Sequence, residues 1–299
     1  MKQLFWVLLI LCLLAACNNG DTSSEQQSSG EEPQSENKAN HDDHSEDGSN
    51  TTSLEQDKEE VEEKEERKEE SSNELNDEPL YKITSDASVV PIKEGTNEDV
   101  VLLTIDDAPD KYALEMAKTL KSLDAGAIFF VNGHFIDTKE EKEILKEIHE
   151  MGFLIGNHTY NHTNLKDIEE DQDKQRDEIT QLNDEIEEII GERPAFFRAP
   201  HGVNTDYSTK VAQEEKMIVM NWTYGYDYFE PYKDVDKLTE AMVSGKGPEV
   251  DVPYSLLKSG ANLLMHDREW TNEALEEIVL GLREEGYEIV DPHTIKKDK

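Results

Sequence analysis

The chain has 299 residues, with 69 acidic against 30 basic side chains and a formal net charge of −39. That charge excludes nucleic acid and anionic lipid surfaces as electrostatic partners, since both are polyanions. It leaves a neutral or cationic substrate, or one engaged through short-range contacts.

Residues 1–16 read as a secretory signal peptide: Lys2 precedes an apolar run over 4–14, which ends in Leu14, Ala15 and Ala16 before Cys17. The run is shorter than the about 20 apolar residues of a membrane-spanning helix. A cysteine placed after small residues resembles the lipobox of bacterial lipoproteins. Cys17 is therefore expected to become the lipidated first residue, anchoring the mature chain in the membrane on its extracytoplasmic side, facing the cell wall. The other cysteine, Cys12, falls inside the segment to be removed, so no disulfide partner is expected. From Cys17, residues 17–79 are Ser, Asn, Gln, Glu and Asp with almost no aromatic or branched side chains. Such a segment cannot bury enough apolar surface to offset ordering entropy, and it reads as an acidic disordered linker. Like charges extend it, which suits a spacer.

Residues 80–299 alternate between short apolar runs and amphipathic stretches. Strands are expected at 100–105, 127–131, 153–156, 195–197, 217–222, 261–265 and 287–290, and helices at 112–123, 140–151, 165–190, 205–215, 235–243 and 271–285. In the longest helix Ile179, Leu182, Ile186 and Ile189 recur at three- and four-residue steps, which makes one buried stripe. Strand–helix alternation implies an α/β fold with a mostly parallel sheet, and the size favours one barrel-like domain with its chemistry at the C-terminal strand ends. The stretch 230–254, with Pro231, Gly245, Gly247, Pro248 and Pro253, reads as an insertion carrying one short helix at the rim of the site.

The polar motifs fall at those strand ends. Asp106 and Asp107 close the first apolar run, and on an extended backbone their side chains diverge into different roles. His158 and His162, four apart, are expected on one face of a helical turn. One carboxylate and two imidazoles form a three-ligand set that leaves a metal an open position. Asp107 is assigned to the metal and Asp106 to proton abstraction. Thr159 stands where a zinc protease of the H-E-x-x-H type carries its glutamate, so the base has to come from elsewhere. Arg198, after the run 195–197, can orient an aspartate through a forked hydrogen bond, and the turn around Pro200, His201 and Gly202 can offer a backbone amide to an oxyanion. His266 suits a general acid if a carboxylate holds it protonated, and Asp227 is the candidate; Leu264 would line a small apolar pocket beside it. Asp267 is expected to cap the helix that follows it.

Taken together, these segments resemble the carbohydrate esterase family 4 (NodB-type) polysaccharide deacetylases. Residues 104–108 are similar to the family's T-F-D-D-G motif, 158–162 to H-S/T-x-x-H, 198–202 to R-x-P-x-G and 264–266 to L-x-H. The surroundings of Asp227 resemble a looser fourth motif. The resemblance implies a distorted (β/α)7 barrel that removes N-acetyl groups from amino-sugar polymers with a divalent metal, zinc being the usual ion. Carried over to this chain, Asp107, His158 and His162 hold the metal and Asp106 is the base positioned by Arg198. His266 is the acid tuned by Asp227, and the His201 amide stabilises the oxyanion. Peptidoglycan N-acetylglucosamine is the expected substrate, with chitin-like or poly-N-acetylglucosamine polymers as alternatives. Ala108 replaces the family's glycine, where it could crowd the sugar, His201 replaces an aromatic residue, and Tyr228 replaces a tryptophan. Ala108 and Tyr228 motivate a rival reading, a non-catalytic wall-glycan-binding lipoprotein that retains the deacetylase fold; a third, weaker reading is a metallo-amidase or protease at the surface.

Overall fold

The computed structural model describes residues 78–297; the expected signal peptide, Cys17 and the linker up to residue 77 lie outside them. A short antiparallel hairpin, β1 (Tyr81–Ile83) and β2 (Val89–Pro91), opens the described chain. Seven further strands follow: β3 (Val100–Ala108), β4 (Ile128–Val131), β5 (Leu154–Asn157), β6 (Phe196–Phe197), β7 (Ile218–Val219), β8 (Ala261–His266) and β9 (Glu288–Ile289). They form one parallel sheet in the order β7-β6-β5-β4-β3-β8, with β9 beside the start of β3. Beyond β7, Thr223 donates its N–H to Asn262 O at 2.8 Å and Tyr224 bridges Leu263, so the chain after β7 reaches β8 from the other side. The result is a distorted (β/α)7 barrel, the form of barrel-like domain that the family resemblance implies.

The pleat explains why the strands are apolar on both faces. Leu102, Ile128, Phe130, Leu154 and Phe196 meet one another and no helix, filling the barrel interior. Their neighbours Leu103, Ile105, Phe129 and Val131 pack outward against helices. Burying each such side chain contributes about 1.5–3 kcal/mol, which makes the sheet the anchor of the fold. Tyr81 and Val89 of the hairpin join the interior cluster, and Val89 N–H reaches Gly260 O just before β8 begins. The hairpin thus plugs the N-terminal end of the barrel and leaves the C-terminal end open.

Six helices cover the outside: α1 (Ala113–Ser122), α2 (Lys139–Glu150), α3 (Gln172–Ile190), α4 (Asp206–Glu214), α5 (Val235–Ser244) and α6 (Glu269–Glu284). None of the described helices is long and apolar enough to cross a membrane. Local chemistry sets their ends. Thr138 and Glu141 form a reciprocal capping box at α2. The expected helix over 165–190 is in fact two pieces, a 3-10 turn (Leu165–Ile168) and α3, because the Asp171 side chain accepts Lys174 N–H and starts a new helix. The stretch 230–254 is less peripheral than its prolines suggest. Tyr224, Tyr226 and Tyr232 are buried, and their hydroxyls donate to Met242 O, Gly245 O and Glu249 Oε2, which ties α5 and the turns around it to the barrel wall.

Candidate active site

The open end of the barrel is built around an irregularity in β3. Ile105 pairs with Phe129 but Ala108 pairs with Val131, so β3 carries one extra residue there. Asp107 absorbs it with φ 61°. The bulge overturns the expectation that the two carboxylates diverge. Asp106 Oδ2 lies 3.5 Å and Asp107 Oδ1 3.9 Å from the same nitrogen, His158 Nε2.

His158 and His162 leave β5 on a loop, not on a helical turn. Thr159 has φ 67° and His162 φ 54°, which no right-handed helix accepts. Fold-wide hydrogen bonds impose this path. Asn157 Oδ1 accepts Thr159 N–H at 2.9 Å, and Asn132 Nδ2 donates to His158 O at 2.7 Å. Gly133 N–H donates to Thr159 O, and a Cβ on Gly133 would come within 2.4 Å of the Tyr160 ring. The imidazoles then meet at 4.9 Å between centroids.

The donor set of Asp107, His158 and His162 suits a divalent metal, each residue offering one atom and all three atoms lying within 4.8 Å of one another. Asp107 Oδ1 is 3.5 Å from His162 Nε2. Metal–ligand bonds of about 2.1 Å at tetrahedral angles place donors about 3.4 Å apart, close to these separations. The protonation states agree. His158 Nδ1–H donates to the Arg198 carbonyl at 2.7 Å, so its Nε2 carries the lone pair. Burial lowers the pKa of His158, and burial with the neighbouring His158 pushes His162 down to about 4. Burial would raise the Asp107 pKa, but the cationic His266 and Arg268 beside it hold it below the usual carboxylate value.

Arg198 forms the floor beneath Asp106. It is fully buried, and its Nη1 donates to Asp106 Oδ1 at 2.6 Å and to Thr104 Oγ1 at 2.9 Å. Its remaining donors reach Met220 O and Asn221 O, and its guanidinium lies 4.3 Å from the Phe130 ring centre. A buried arginine with every nitrogen hydrogen-bonded fixes one oxygen of Asp106 and leaves Oδ2 toward the cleft.

Asp227, also fully buried, grips His266 twice. Its Oδ1 lies 2.8 Å from His266 Nδ1, and its Oδ2 accepts His266 N–H at 2.6 Å and Thr271 Oγ1–H at 2.8 Å. Burial opposes a charge on His266, yet Asp227, by proximity and hydrogen bond, raises its pKa to about 9. Asp267 does not cap the helix after it. Its carboxylate accepts the N–H groups of Lys111, Tyr112 and Ala113, so it caps α1, while α6 starts at Arg268 without a side-chain cap.

Of the ten residues given catalytic, metal or substrate roles from sequence, all except Arg198 and Asp227 line a cleft of about 480 Å³, joined there by Trp222 and Arg268. Leu264 forms part of its apolar wall. Tyr228 stands edge-on to His266 at 5.7 Å, half exposed. His201, at φ 58°, places its ring 5.0 Å from that of His162. Beside it Gly202 has φ 69°, and a Cβ there would approach the Trp222 ring to 2.9 Å. Ala108 does not crowd the cleft. It is fully buried among the core residues behind the site. Arg268, which directly follows the His266-Asp267 pair, donates to Asp107 Oδ2 at 2.6 Å. Its position beside that pair, and the place of Trp222 at the end of an expected strand, were the signals available in the sequence.

A family model described as polysaccharide deacetylase matches residues 93–219. A peptidoglycan-N-acetylglucosamine deacetylase of Bacillus cereus is 30% identical over 201 residues, which is 65% of this chain and 86% of that protein. The peptidoglycan-N-acetylmuramic acid deacetylase PdaA of Bacillus subtilis is 28% identical, covering 64% of this chain and 70% of that one. Among solved structures, a wild-type CE4 family pseudoenzyme from Bacillus anthracis aligns at 29% identity and TM-score 0.53, covering 64% of this chain and 63% of that one. The chain spans 59% of the length of another relative, YlxY of Bacillus subtilis. With the shared barrel and motif order, these matches establish that the chain belongs to the polysaccharide deacetylase family.

Proposed function

We propose that this chain is a metal-dependent N-deacetylase acting on an amino-sugar polymer, with peptidoglycan N-acetylglucosamine as its substrate. We further propose that it works outside the cytoplasm, held at the membrane by lipidated Cys17 and set off from it by the acidic linker. The observation that carries the reading is the convergence on one cleft of a three-donor metal set, Asp107, His158 and His162, with a paired aspartate and a paired histidine. The name of the Bacillus cereus relative supports the choice of sugar.

A divalent ion held by those three residues, zinc in our reading, would supply a Lewis acid for an amide carbonyl. The chain's own groups handle the protons. Asp106 Oδ1 is held by Arg198, so Oδ2, on the side of His158, takes the proton from the attacking water. The His201 amide would donate to the oxyanion that forms. His266 has its Nδ1 on Asp227, so Nε2 gives its proton to the leaving sugar nitrogen. Water and acetamide thus become free amine and acetate. Leu264 and Tyr228 bound the space beside the acid, suited to the acetyl methyl and the sugar face.

The test is acetate release from purified N-acetylated wall glycan and from chitin oligomers. We expect release by the zinc-loaded wild type, release lower by about 10²–10⁴-fold from Asp106→Asn, and none after chelation. Release surviving both treatments would refute the mechanism. The pseudoenzyme among the structural relatives favours one second reading, a glycan binder that keeps the barrel without turnover. Glycan binding with no acetate from any polymer would select it.

A further inference from the structure

Glu178, on α3, is a buried carboxylate, 3% exposed, with no part in the chemistry above. Its Oε2 accepts Asn161 N–H at 2.8 Å, and its Oε1 accepts Asn161 Nδ2–H at 3.0 Å and Thr163 Oγ1–H at 2.9 Å. Its backbone carbonyl accepts Tyr160 N–H at 2.8 Å. All four donors lie in residues 160–163, on both sides of His162. A buried carboxylate is costly unless its oxygens are satisfied, and here the loop satisfies them.

The loop in turn needs the restraint. Thr159 and His162 are both left-handed, a conformation that is strained for residues with a Cβ. Released from its anchor, that backbone relaxes toward negative φ and swings His162 Nε2 away from Asp107 Oδ1. Asn132 and Gly133 hold the loop at its His158 end, through His158 O and Thr159 O. Glu178 holds the His162 end.

We propose that Glu178 is a positioning residue that keeps His162 in ligating geometry, so that α3 is coupled to the metal centre through one carboxylate. The proposal rests on the reading of Asp107, His158 and His162 as a metal site. Loss of such an outer partner weakens metal binding by about 10–100-fold.

The experiment measures zinc affinity of the purified full chain by competition with a chromogenic chelator, and the visible spectrum of the cobalt(II)-loaded protein. Glu178→Ala is expected to weaken zinc about 10–100-fold and to alter the cobalt bands. Gln175→Ala is the control. Gln175 is fully buried on the same helix, but its amide donates to Ile168 O and Glu169 O, away from the loop. It is expected to lower thermal stability and leave zinc affinity unchanged. If Glu178→Ala does not fold, Glu178→Gln fills the same space but turns an N–H toward Asn161, and about a fivefold weakening is expected. A folded Glu178 variant binding zinc as wild type does, or a Gln175→Ala variant equally weakened, overturns the proposal. A wild type that binds no zinc overturns the metal-site reading itself.

Discussion

Arg268 donates to Asp107 Oδ2 at 2.6 Å, and Arg198 donates to Asp106 Oδ1 at the same 2.6 Å, so each aspartate of the pair has its own guanidinium. The two arrangements differ in depth, since Arg198 is fully buried and Arg268 is partly exposed at the cleft. In both, the arginine takes one oxygen and leaves the other facing the histidines.

Arg268→Ala should therefore destabilise the metal-free protein by about 1.5 kcal/mol, the scale of a hydrogen bond to a charged group. The loss should shrink when zinc is present, because the cation then compensates Asp107 from its other oxygen. Urea unfolding with chelator and with zinc reads both numbers. An equal loss in the two conditions would mean that Arg268 and the metal donors are not linked through Asp107.

Asp106→Asn keeps the shape of the site and the hydrogen bond from Arg198 but removes the base. Acetate release should fall by about 10²–10⁴-fold, the usual contribution of a positioned base. Zinc affinity should not weaken, because the donor set does not include Asp106. A variant that loses zinc together with activity would reassign Asp106 to the metal.

The alkaline limb is set by His266, whose pKa Asp227 raises to about 9 against the effect of burial. The general acid works while protonated, so kcat/KM should hold below that value and fall as pH rises through about 9. Asp227→Asn removes the charge that raises the pKa, and the descending limb should move to lower pH by about one unit or more. A limb that stays in place in this variant would show that His266 does not supply the proton.

Tyr228 offers an exposed ring face beside His266 without touching the donor set. Tyr228→Ala should raise KM for an N-acetylated oligosaccharide about fivefold, equivalent to about 1 kcal/mol of aromatic contact, with zinc affinity unchanged. Steady-state kinetics against oligomers of increasing length provides the check.

The barrel was legible because its strands are short, continuous apolar runs, buried on both faces, set between helices whose apolar residues recur every three to four positions. The hairpin Tyr81–Ile83 and Val89–Pro91 was not, since three-residue strands with Lys82 in the middle carry no pattern. The site residues stood out by type and by their place at strand ends. Their backbone did not. Asp107, Thr159, His162 and His201 all sit at positive φ without being glycine, so the bulge in β3 and the loop after β5 leave no mark in residue choice. These conformations are imposed by distant partners such as Asn132 and Glu178. The capping of α1 by Asp267 is likewise a contact between residues about 155 apart, beyond the reach of any local rule.

Equilibrium dialysis followed by elemental analysis, on wild type, Asp107→Ala and His162→Ala, bears most directly on the shared metal. We expect the wild type to retain a single tightly held divalent ion per chain and each variant to lose it while remaining folded. A wild type that retains none, or variants that retain as much as the wild type, would contradict the assignment of Asp107, His158 and His162 to one ion.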